Sequence, residues 1–311
     1  MSRAAPPVHM LAVNFFSAAD LGICIDSAVQ AGVASVTIVS NGDSEKGHAA
    51  LTKHLASLKI PTRLYRAGKN LGFGAAANRA FALADPPDRD FVWLLNPDVV
   101  VAPDSLQRLV TATLDKGASL ASPMIEHGMG SSRRPWFAGG FVDVRRGATV
   151  HLTAIEAGGT SGRPPNSRTP FITGAAPLVR SSAWRELGGF REDLFLYWED
   201  AELSMRAHAI GMGITTVNGS TVWHRVGGSH AGRGRSPLYY HYMQRNRLRV
   251  CSSRPRDLIG LLCGPGLQET VRYLWRPIRH EPEERVVKFF ASFGGLMRGI
   301  LDVCRSRHEA R

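Results

Sequence analysis

Two neighbouring carboxylates, Glu199 and Asp200, follow directly on the apolar aromatic run LFLYW (194–198). Acids set where burial begins can do proton chemistry, because desolvation and a like-charged neighbour both raise a carboxyl pKa toward the range of a general base. The plainer alternative is helix-end electrostatics: acids in a first helical turn favour the dipole by about 0.3–1 kcal/mol each. A further acid, Asp98, ends the run FVWLLNPD (91–98), in which Pro97 stops the strand and leaves Asp98 near its carboxyl end. Parallel sheets collect ligands there, and a carboxylate in that place can hold a hard cation such as Mg²⁺ or Mn²⁺. It can equally cap its own turn. His224, in TVWH (221–224), is a nitrogen donor if a cation lies nearby and otherwise an ordinary core or surface histidine.

Such residues need a frame, and the first 125 residues supply an alternating one. Strand-like runs at 10–16, 34–40, 62–67, 90–95 and 119–125 are separated by helical patterns at 21–32, 48–58, 74–84 and from Pro103 to Gly117. Alternation of this kind predicts an α/β fold with a doubly wound, mostly parallel sheet. Residues 126–170 are rich in Gly, Arg, Ser and Pro, and 158–170 reads as a flexible loop. An ordered block follows at 171–225. In it Gly188-Gly189 make a turn, and a helix opens at Glu199 with Leu203, Ala207 and Ile210 on its buried face and Gly211 as its stop. The division expected is one unit over 1–235, in halves of about 1–125 and 126–235, then a basic, amphipathic helical region over 236–311.

Composition narrows the function classes. The chain has 311 residues, is 44% hydrophobic, and carries 38 Lys+Arg against 26 Asp+Glu, a formal charge of +12. That field attracts phosphates, whether of nucleotides or of an anionic membrane face. No nucleic-acid reading motif accompanies it, so nucleic acid is not an expected partner. Apolar runs are too short for a spanning helix or a secretory signal, and the four scattered cysteines suit a reduced cytoplasm. Gly72-x-Gly74-x-x-Ala77, with Asp90 further on, fits a dinucleotide fingerprint and raises an NAD(P)-dependent oxidoreductase as an alternative. The match begins after two strand–helix units, however, and Asp90 opens a strand where a ribose-binding acid should end one. Near the end, Val286, Phe289, Phe290, Phe293, Leu296, Met297, Ile300 and Leu301 recur at helical spacing, flanked by Arg285, Lys288, Arg298 and Arg305. Such a helix either packs on protein, including a second subunit, or lies on the cytoplasmic leaflet.

Four signals stand in a fixed order: NLGFG (70–74) with Asn78, Asn96-Pro97-Asp98, Gly188-Gly189-Phe190 followed by YWED (197–200), and Trp223-His224. Together they resemble the family 2 inverting glycosyltransferases, and among them the bacterial rhamnosyltransferase-like branch, over roughly residues 8–250. The resemblance implies a GT-A type nucleotide-diphospho-sugar transferase fold with a C-terminal helical extension. It makes Asp98 the acid of a DXD-type metal motif, with Asn96 in the first acid's place, and His224 the completion of a Mg²⁺ or Mn²⁺ site. Asp200 becomes the catalytic base, with Glu199 assisting it or binding acceptor. Asn14, Asn41, Asn70, Gly72, Asn78, Asn96 and Asp98 fall to the donor; Gly174, Trp198 and Glu199 fall to the acceptor. Relatives carry a base-contacting Asp where Ser40 stands here, so Asn41 or Asp43 takes that part. The implied reaction is a metal-assisted single displacement. It moves a sugar, rhamnose in that branch, from a nucleotide-diphospho-sugar to a hydroxyl of a cell-surface polysaccharide or polyprenyl-linked acceptor. The implied setting is the cytoplasm, peripheral on the inner face of the plasma membrane, with an anionic membrane surface and a homodimer as further partners. A non-catalytic scaffold that binds membrane or a partner protein is the remaining alternative.

Overall fold

The computed structural model of the chain describes residues 5–128, 132–153, 168–224, 234–252 and 254–305. The expected loop at 158–170 lies outside the described residues up to position 167.

Four strands open the large sheet: β1 (Val8–Asn14), β2 (Ser35–Asn41), β3 (Thr62–Ala67) and β4 (Phe91–Leu94), in the spatial order β3-β2-β1-β4 and all parallel. Helices α1 (Ala18–Gln30), α2 (Glu45–Ala56) and α3 (Phe73–Ala84) make the crossovers. Strands covered on both faces read as unbroken apolar runs, and Met10, Leu11, Ala12, Phe91, Val92, Trp93 and Leu94 are all fully buried. Helix α2 begins a turn earlier than its apolar pattern, because the Ser44 hydroxyl accepts the Gly47 N–H and caps it.

Beyond β4 the sheet becomes mixed. The chain continues through β5 (Val99–Val101), α4 (Ser105–Asp115), β6 (Leu120–His127), β7 (Arg134–Phe137), β8 (Gly140–Asp143), β9 (Ala148–His151), β10 (Thr169–Pro170), β11 (Leu178–Arg180) and α5 (Ser181–Leu187). It then forms α6 (Glu199–Ala209) and β12 (Ile214–His224). Strand β11 wedges antiparallel between β4 and β6, and β12 runs parallel to β6 but antiparallel to β5. A small sheet, β10-β8-β9, stands beside the main one. The expectation of a mostly parallel sheet is therefore met in the first half, and antiparallel insertions modify the second. In α6, Leu203 and Ala207 are buried as expected, but Ile210 is 55% exposed. The helix ends at Ala209, so helical spacing no longer governs the next residue.

Four helices complete the fold: α7 (Pro237–Cys251), α8 (Pro255–Cys263), α9 (Leu267–His280) and α10 (Arg285–Arg305). Helix α10 lies along α7 through small residues. A Cβ on Gly295 would stand 2.1 Å from the His241 carbonyl oxygen, and one on Gly299 would stand 2.9 Å from that of Arg245. Lys288, Ser292, Gly295, Leu296, Gly299 and Val303 face inward. Of the apolar stripe read from the sequence only Leu296 is buried, whereas Val286, Phe290, Phe293, Met297 and Leu301 are exposed. No described helix is long and apolar enough to cross a membrane.

The α7–α10 contact leaves no room for a methyl group against fixed backbone. Gly295→Ala should therefore destabilise the protein by about 1–3 kcal/mol through overpacking. Gly260→Ala, on α8 with nothing within 4 Å of its added Cβ, should be neutral or slightly stabilising. Thermal unfolding of the two variants beside the parent checks this, and equal midpoints for both would contradict the packing.

Candidate active site

A cleft opens at the carboxyl ends of β1, β2 and β4 and divides into two cavities of about 330 Å³ and about 460 Å³. The smaller is lined by Val13, Asn41, Asn70, Gly72, Asn96 and Asp98 among others; the larger contains Gly174, Trp198, Glu199, Asp200 and His224. Phe73, Asn96 and Leu196 belong to both, so the two share a wall.

The smaller cavity rests on a loop held by asparagines. From the end of β2 the Asn41 amide nitrogen donates to Asn70 Oδ1 (2.9 Å) and to the Gly72 carbonyl (3.2 Å), while its Oδ1 accepts the Leu71 N–H (2.8 Å). Asn70 Oδ1 also accepts the Gly72 N–H (2.9 Å). Gly72 has φ +84°, and a Cβ there would fall 2.4 Å from the Phe195 carbonyl oxygen. Only glycine meets both demands, the backbone angle and the close approach.

That approach also answers the dinucleotide fingerprint. The Phe73 N–H at the start of α3 is already taken by the Phe195 carbonyl (2.7 Å), and a Cβ on Gly74 would meet Phe190 at 3.1 Å. The glycines serve contact between two loops rather than a pyrophosphate. Asp90 is buried at the opening end of its strand, where it accepts from His9 Nε2 at 3.0 Å. The oxidoreductase alternative loses both of its supports.

Other sequence candidates lie off the cavity. The Asn14 amide donates to the Asp43 carboxylate, and its Oδ1 accepts the Ser17 N–H (3.2 Å). Asp43 borders a separate surface hollow, and neither residue is among those lining the smaller cavity. Ser40 is fully buried with its hydroxyl unpartnered. Asn78 is a staple: its Nδ2 donates to the Phe190 carbonyl (2.9 Å) and Glu192 Oε1 (3.0 Å), and its Oδ1 accepts the Phe190 N–H (2.9 Å). It faces the 188–192 turn, away from both cavities.

Antiparallel register brings Asp98 and His224 together. Pairing of β12 with β5 sets His224 opposite Val99, one residue from Asp98, and His224 Nε2 lies 2.9 Å from Asp98 Oδ1. The other ring nitrogen, Nδ1, is buried without a partner. Adjacent ligands of an octahedral cation, each about 2.1 Å from it, are about 3 Å apart, so one ion would fit between these two atoms. A carboxylate oxygen suits either Mn²⁺ or Mg²⁺, and the imidazole nitrogen suits a transition ion such as Mn²⁺ better than Mg²⁺. No third His, Cys, Asp or Glu joins them among the described residues, so an ion held there would take its other ligands from bound molecules or solvent.

The acids are delivered by a strained turn. Phe195, Tyr197 and Trp198 have φ of 67°, 67° and 75°, a region that costs bulky residues on the order of 1–3 kcal/mol each. From α7 the buried Asn246 donates to the carbonyls of Leu194 (2.8 Å), Leu196 (2.8 Å) and Tyr197 (2.9 Å). Arg245 and Arg249 hold the carbonyl of Asp193 just upstream. Glu199 and Asp200 then open α6. Asp200 Oδ2 accepts the Gly174 N–H (2.8 Å) and Oδ1 accepts the Ala201 N–H (2.7 Å), whereas Glu199 Oε2 is buried without a partner.

Burial, and after it the charge of Asp200, pushes the Glu199 carboxyl well above its ordinary range. Burial also raises Asp200, although the N–H groups of Gly174 and Ala201 pull it back. Two adjacent buried carboxyls cannot both ionise easily, so the pair retains one proton. It belongs on Glu199, whose Oε2 is buried without a partner, whereas both oxygens of Asp200 accept an N–H. The arrangement can therefore offer one charged carboxylate, with a neutral neighbour, to whatever enters the larger cavity.

Asn246 gives little sign of itself in sequence. It sits in QRNRL (244–248), where Gln244, Asn246 and Arg247 are all buried and no apolar period marks the inward face.

Residues 10–186 match the family described as Glycosyl transferase family 2. Over 224 residues, 67% of this chain and 72% of the relative, the sequence is 28% identical to N-acetylglucosaminyl-diphospho-decaprenol L-rhamnosyltransferase of Mycobacterium tuberculosis. Among solved structures, GalNAc-T7 with UDP, GalNAc and Mn²⁺ superposes with a TM-score of 0.61 at 15% identity, covering 98% of this chain and 58% of that one. Mannosyltransferase PcManGT from Pyrobaculum calidifontis, in complex with GDP-Man and Mn²⁺, gives 0.56 at 13% identity, covering 96% and 87%. TarS 1-349 of S. aureus gives 0.54 at 12% identity, covering 94% and 81%. The shared fold is GT-A, as the motif order implied.

If Asn246 holds the turn, Asn246→Ala should leave the Leu196 and Tyr197 carbonyls short of a donor, at about 1–3 kcal/mol for each one left buried, while the Leu194 carbonyl keeps the Leu196 N–H. Asn246→Asp, nearly isosteric, should be worse because it turns an acceptor toward them. Thermal midpoints and sugar-transfer rates should both fall in the order parent, Ala, Asp, and an Asp variant equal to the parent would contradict the clamp.

Proposed function

Because the chain belongs to glycosyl transferase family 2 and is a nucleotide-sugar glycosyltransferase, we propose that its two cavities meet where the sugar is transferred, with Asp200 as the base. The observation that carries this is the placement of Asp200: anchored by two backbone N–H groups, beside the buried Glu199, in the cavity that adjoins the Asp98–His224 pair. The smaller cavity takes the nucleotide-sugar, with Asn41, Asn70 and Gly72 forming its floor and Asn96 at the shared wall. Asp98 and His224 would hold a divalent cation, Mn²⁺ or Mg²⁺, which supplies positive charge against the leaving diphosphate.

In the larger cavity Asp200 takes the proton of the acceptor hydroxyl. The freed oxygen lone pair forms the new bond to the anomeric carbon, and the bond to the diphosphate oxygen breaks with its electrons leaving on that oxygen. One base and one displacement invert the centre, so no covalent sugar–enzyme intermediate is needed. Glu199, carrying the pair's proton, can donate a hydrogen bond to the acceptor. Gly174 lets the acceptor approach Asp200, and the buried face of Trp198 shapes the sugar pocket. The relative's name supports rhamnose as the sugar and a diphospho-polyprenol-linked sugar as the acceptor. In this reading residues 1–235 form the catalytic unit and 236–311 a helical wall beside its acceptor half.

The same reading puts the protein at the cytoplasmic face of the membrane that holds such an acceptor. Val286, Phe290, Phe293, Met297 and Leu301 present an apolar face on α10, with Arg285, Arg298 and Arg305 along it. A helix of this make-up suits the headgroup region of an anionic leaflet.

Three experiments test the proposal. Asp200→Asn should lower transfer by about 10³-fold or more while nucleotide-sugar binding stays within a few-fold, and near-parent turnover would remove its role. Because burial raises the pair and the base must be ionised, transfer should climb with rising pH to a plateau. Glu199→Gln should leave that climb where it is, since Asp200 titrates beside a neutral Glu199 in the parent as well. A climb moved to lower pH would mean that Glu199 is charged while Asp200 titrates. Finally, a Phe290→Glu/Phe293→Glu variant should lose binding to phosphatidylglycerol vesicles. If the parent does not bind them and instead forms a dimer that this variant disrupts, the face belongs to a second subunit.

A further inference from the structure

The larger cavity has a basic part besides its acids. Arg235, Arg272 and Arg276 line it together with Tyr239 and Tyr273. Three guanidinium-bearing residues thus share one cavity with two tyrosines, and Arg235 and Arg272 are exposed to solvent. Arg272 pairs with Glu269 (2.5 Å). Arg235 and Arg276 form no ion pair among the described residues, and Arg235 lies 4.8 Å over the Tyr239 ring.

The wall is held firmly. Glu281 is buried and accepts from the Tyr240 hydroxyl (2.7 Å), the Lys288 amine (3.0 Å) and the Arg235 N–H (2.8 Å). Burial alone would raise its carboxyl, but those donors outweigh burial and hold it below its ordinary value. This knot fixes the backbone of Arg235 to α7 and α10, so one guanidinium starts from a defined point.

Helix α9 carries the second feature. Arg272, Arg276 and Arg279 follow at i, i+4 and i+7, forming one row along the helix. Beside it runs another row, Leu267, Val271 and Trp275, at i, i+4 and i+8, and all three are exposed. Trp275 meets Phe289 of α10 at 5.8 Å between ring centroids, so this apolar row continues onto that helix. A molecule that satisfies both rows carries two or more negative charges on one short group and hydrocarbon immediately after it. A soluble nucleotide or a free sugar phosphate matches the arginines and leaves the apolar row uncovered.

We infer that Arg235 and Arg276, with Arg272 beside them, bind the diphosphate of a prenyl-diphosphate-linked acceptor, whose first isoprene units lie along Leu267, Val271 and Trp275. The assignment rests on the reading of the larger cavity as the acceptor side. Guanidinium forks match phosphate oxygens two at a time, and aromatic walls exclude water from the contact. The acceptor's sugar then extends from the arginines toward Glu199 and Asp200, which line the same cavity.

The test uses the full chain and reads binding without turnover. Farnesyl diphosphate and inorganic pyrophosphate are titrated by calorimetry into the parent, Arg235→Gln/Arg276→Gln and Trp275→Ser. The parent should bind farnesyl diphosphate at least tenfold more tightly than pyrophosphate. The double variant should lose tenfold or more of that affinity with an unchanged thermal midpoint, and Trp275→Ser should weaken farnesyl diphosphate while leaving pyrophosphate unaffected. Equal affinity for the two ligands would make this a free-phosphate site, and a double variant that binds farnesyl diphosphate as the parent does would remove the arginines; either result overturns the inference. Failure of Asp200 as base would appear in the turnover of Asp200→Asn and leave these titrations untouched.

Discussion

A turn of four residues has to be kept in a backbone conformation that its own side chains resist. Phe195, Tyr197 and Trp198 all lie in the left-handed region, and Asn246 answers with donors to three of the carbonyls that this geometry turns inward. Strain of that kind persists only where the surroundings over-determine it. Here they do: the Phe195 carbonyl is also fixed by the Phe73 N–H, and Gly72 gives it room. Because the turn ends at Glu199, its direction decides where both acids sit. The helices after residue 236 are thus tied to the chemistry by hydrogen bonds, and α10 braces α7 through contacts that only glycine permits.

A second constraint comes from strand direction. Parallel order in the first four strands sends Asn41 and Asp98 to one end of the sheet, as in other open α/β folds. Only the antiparallel β12–β5 pairing then adds an imidazole to that end, since its register sets His224 beside Asp98. The two cavities share a wall where β11, carrying the segment after Gly174, is inserted between β4 and β6. The proposed meeting of donor and acceptor at that wall thus follows from how the sheet changes from parallel to mixed.

What could be read from sequence follows the same division. Buried strands were legible because full burial demands unbroken apolar runs: β3 falls on 62–67 as expected, and β1, β2 and β4 lie within two residues of their patterns. Strand order was not legible, because the insertion of β11 depends on distant pairing. The α10 stripe was found but its direction was not, since the contact with α7 is made by Gly295 and Gly299, which carry no hydropathy signal. Among site candidates, motif order singled out Asp98, Glu199, Asp200 and His224, and the fold brings them to one cleft. Asn78 came from the same motifs, and Asn14 and Asp43 from the wider resemblance, and all three make hydrogen bonds that hold loops in place. A motif marks residues that a fold needs without separating those that touch ligand from those that shape the backbone. Asn246 and the arginines of α9 were missed because their meaning lies in what they face across the chain.

The account depends on one carboxylate acting once, from the acceptor side, on a sugar held at the shared wall. The anomeric configuration of the product, followed by ¹H NMR from the first turnovers, tests this most directly. A product whose anomeric centre is opposite to that of the donor is predicted. Retention of the donor's configuration would require a second group acting from the donor side and would contradict the single-base site.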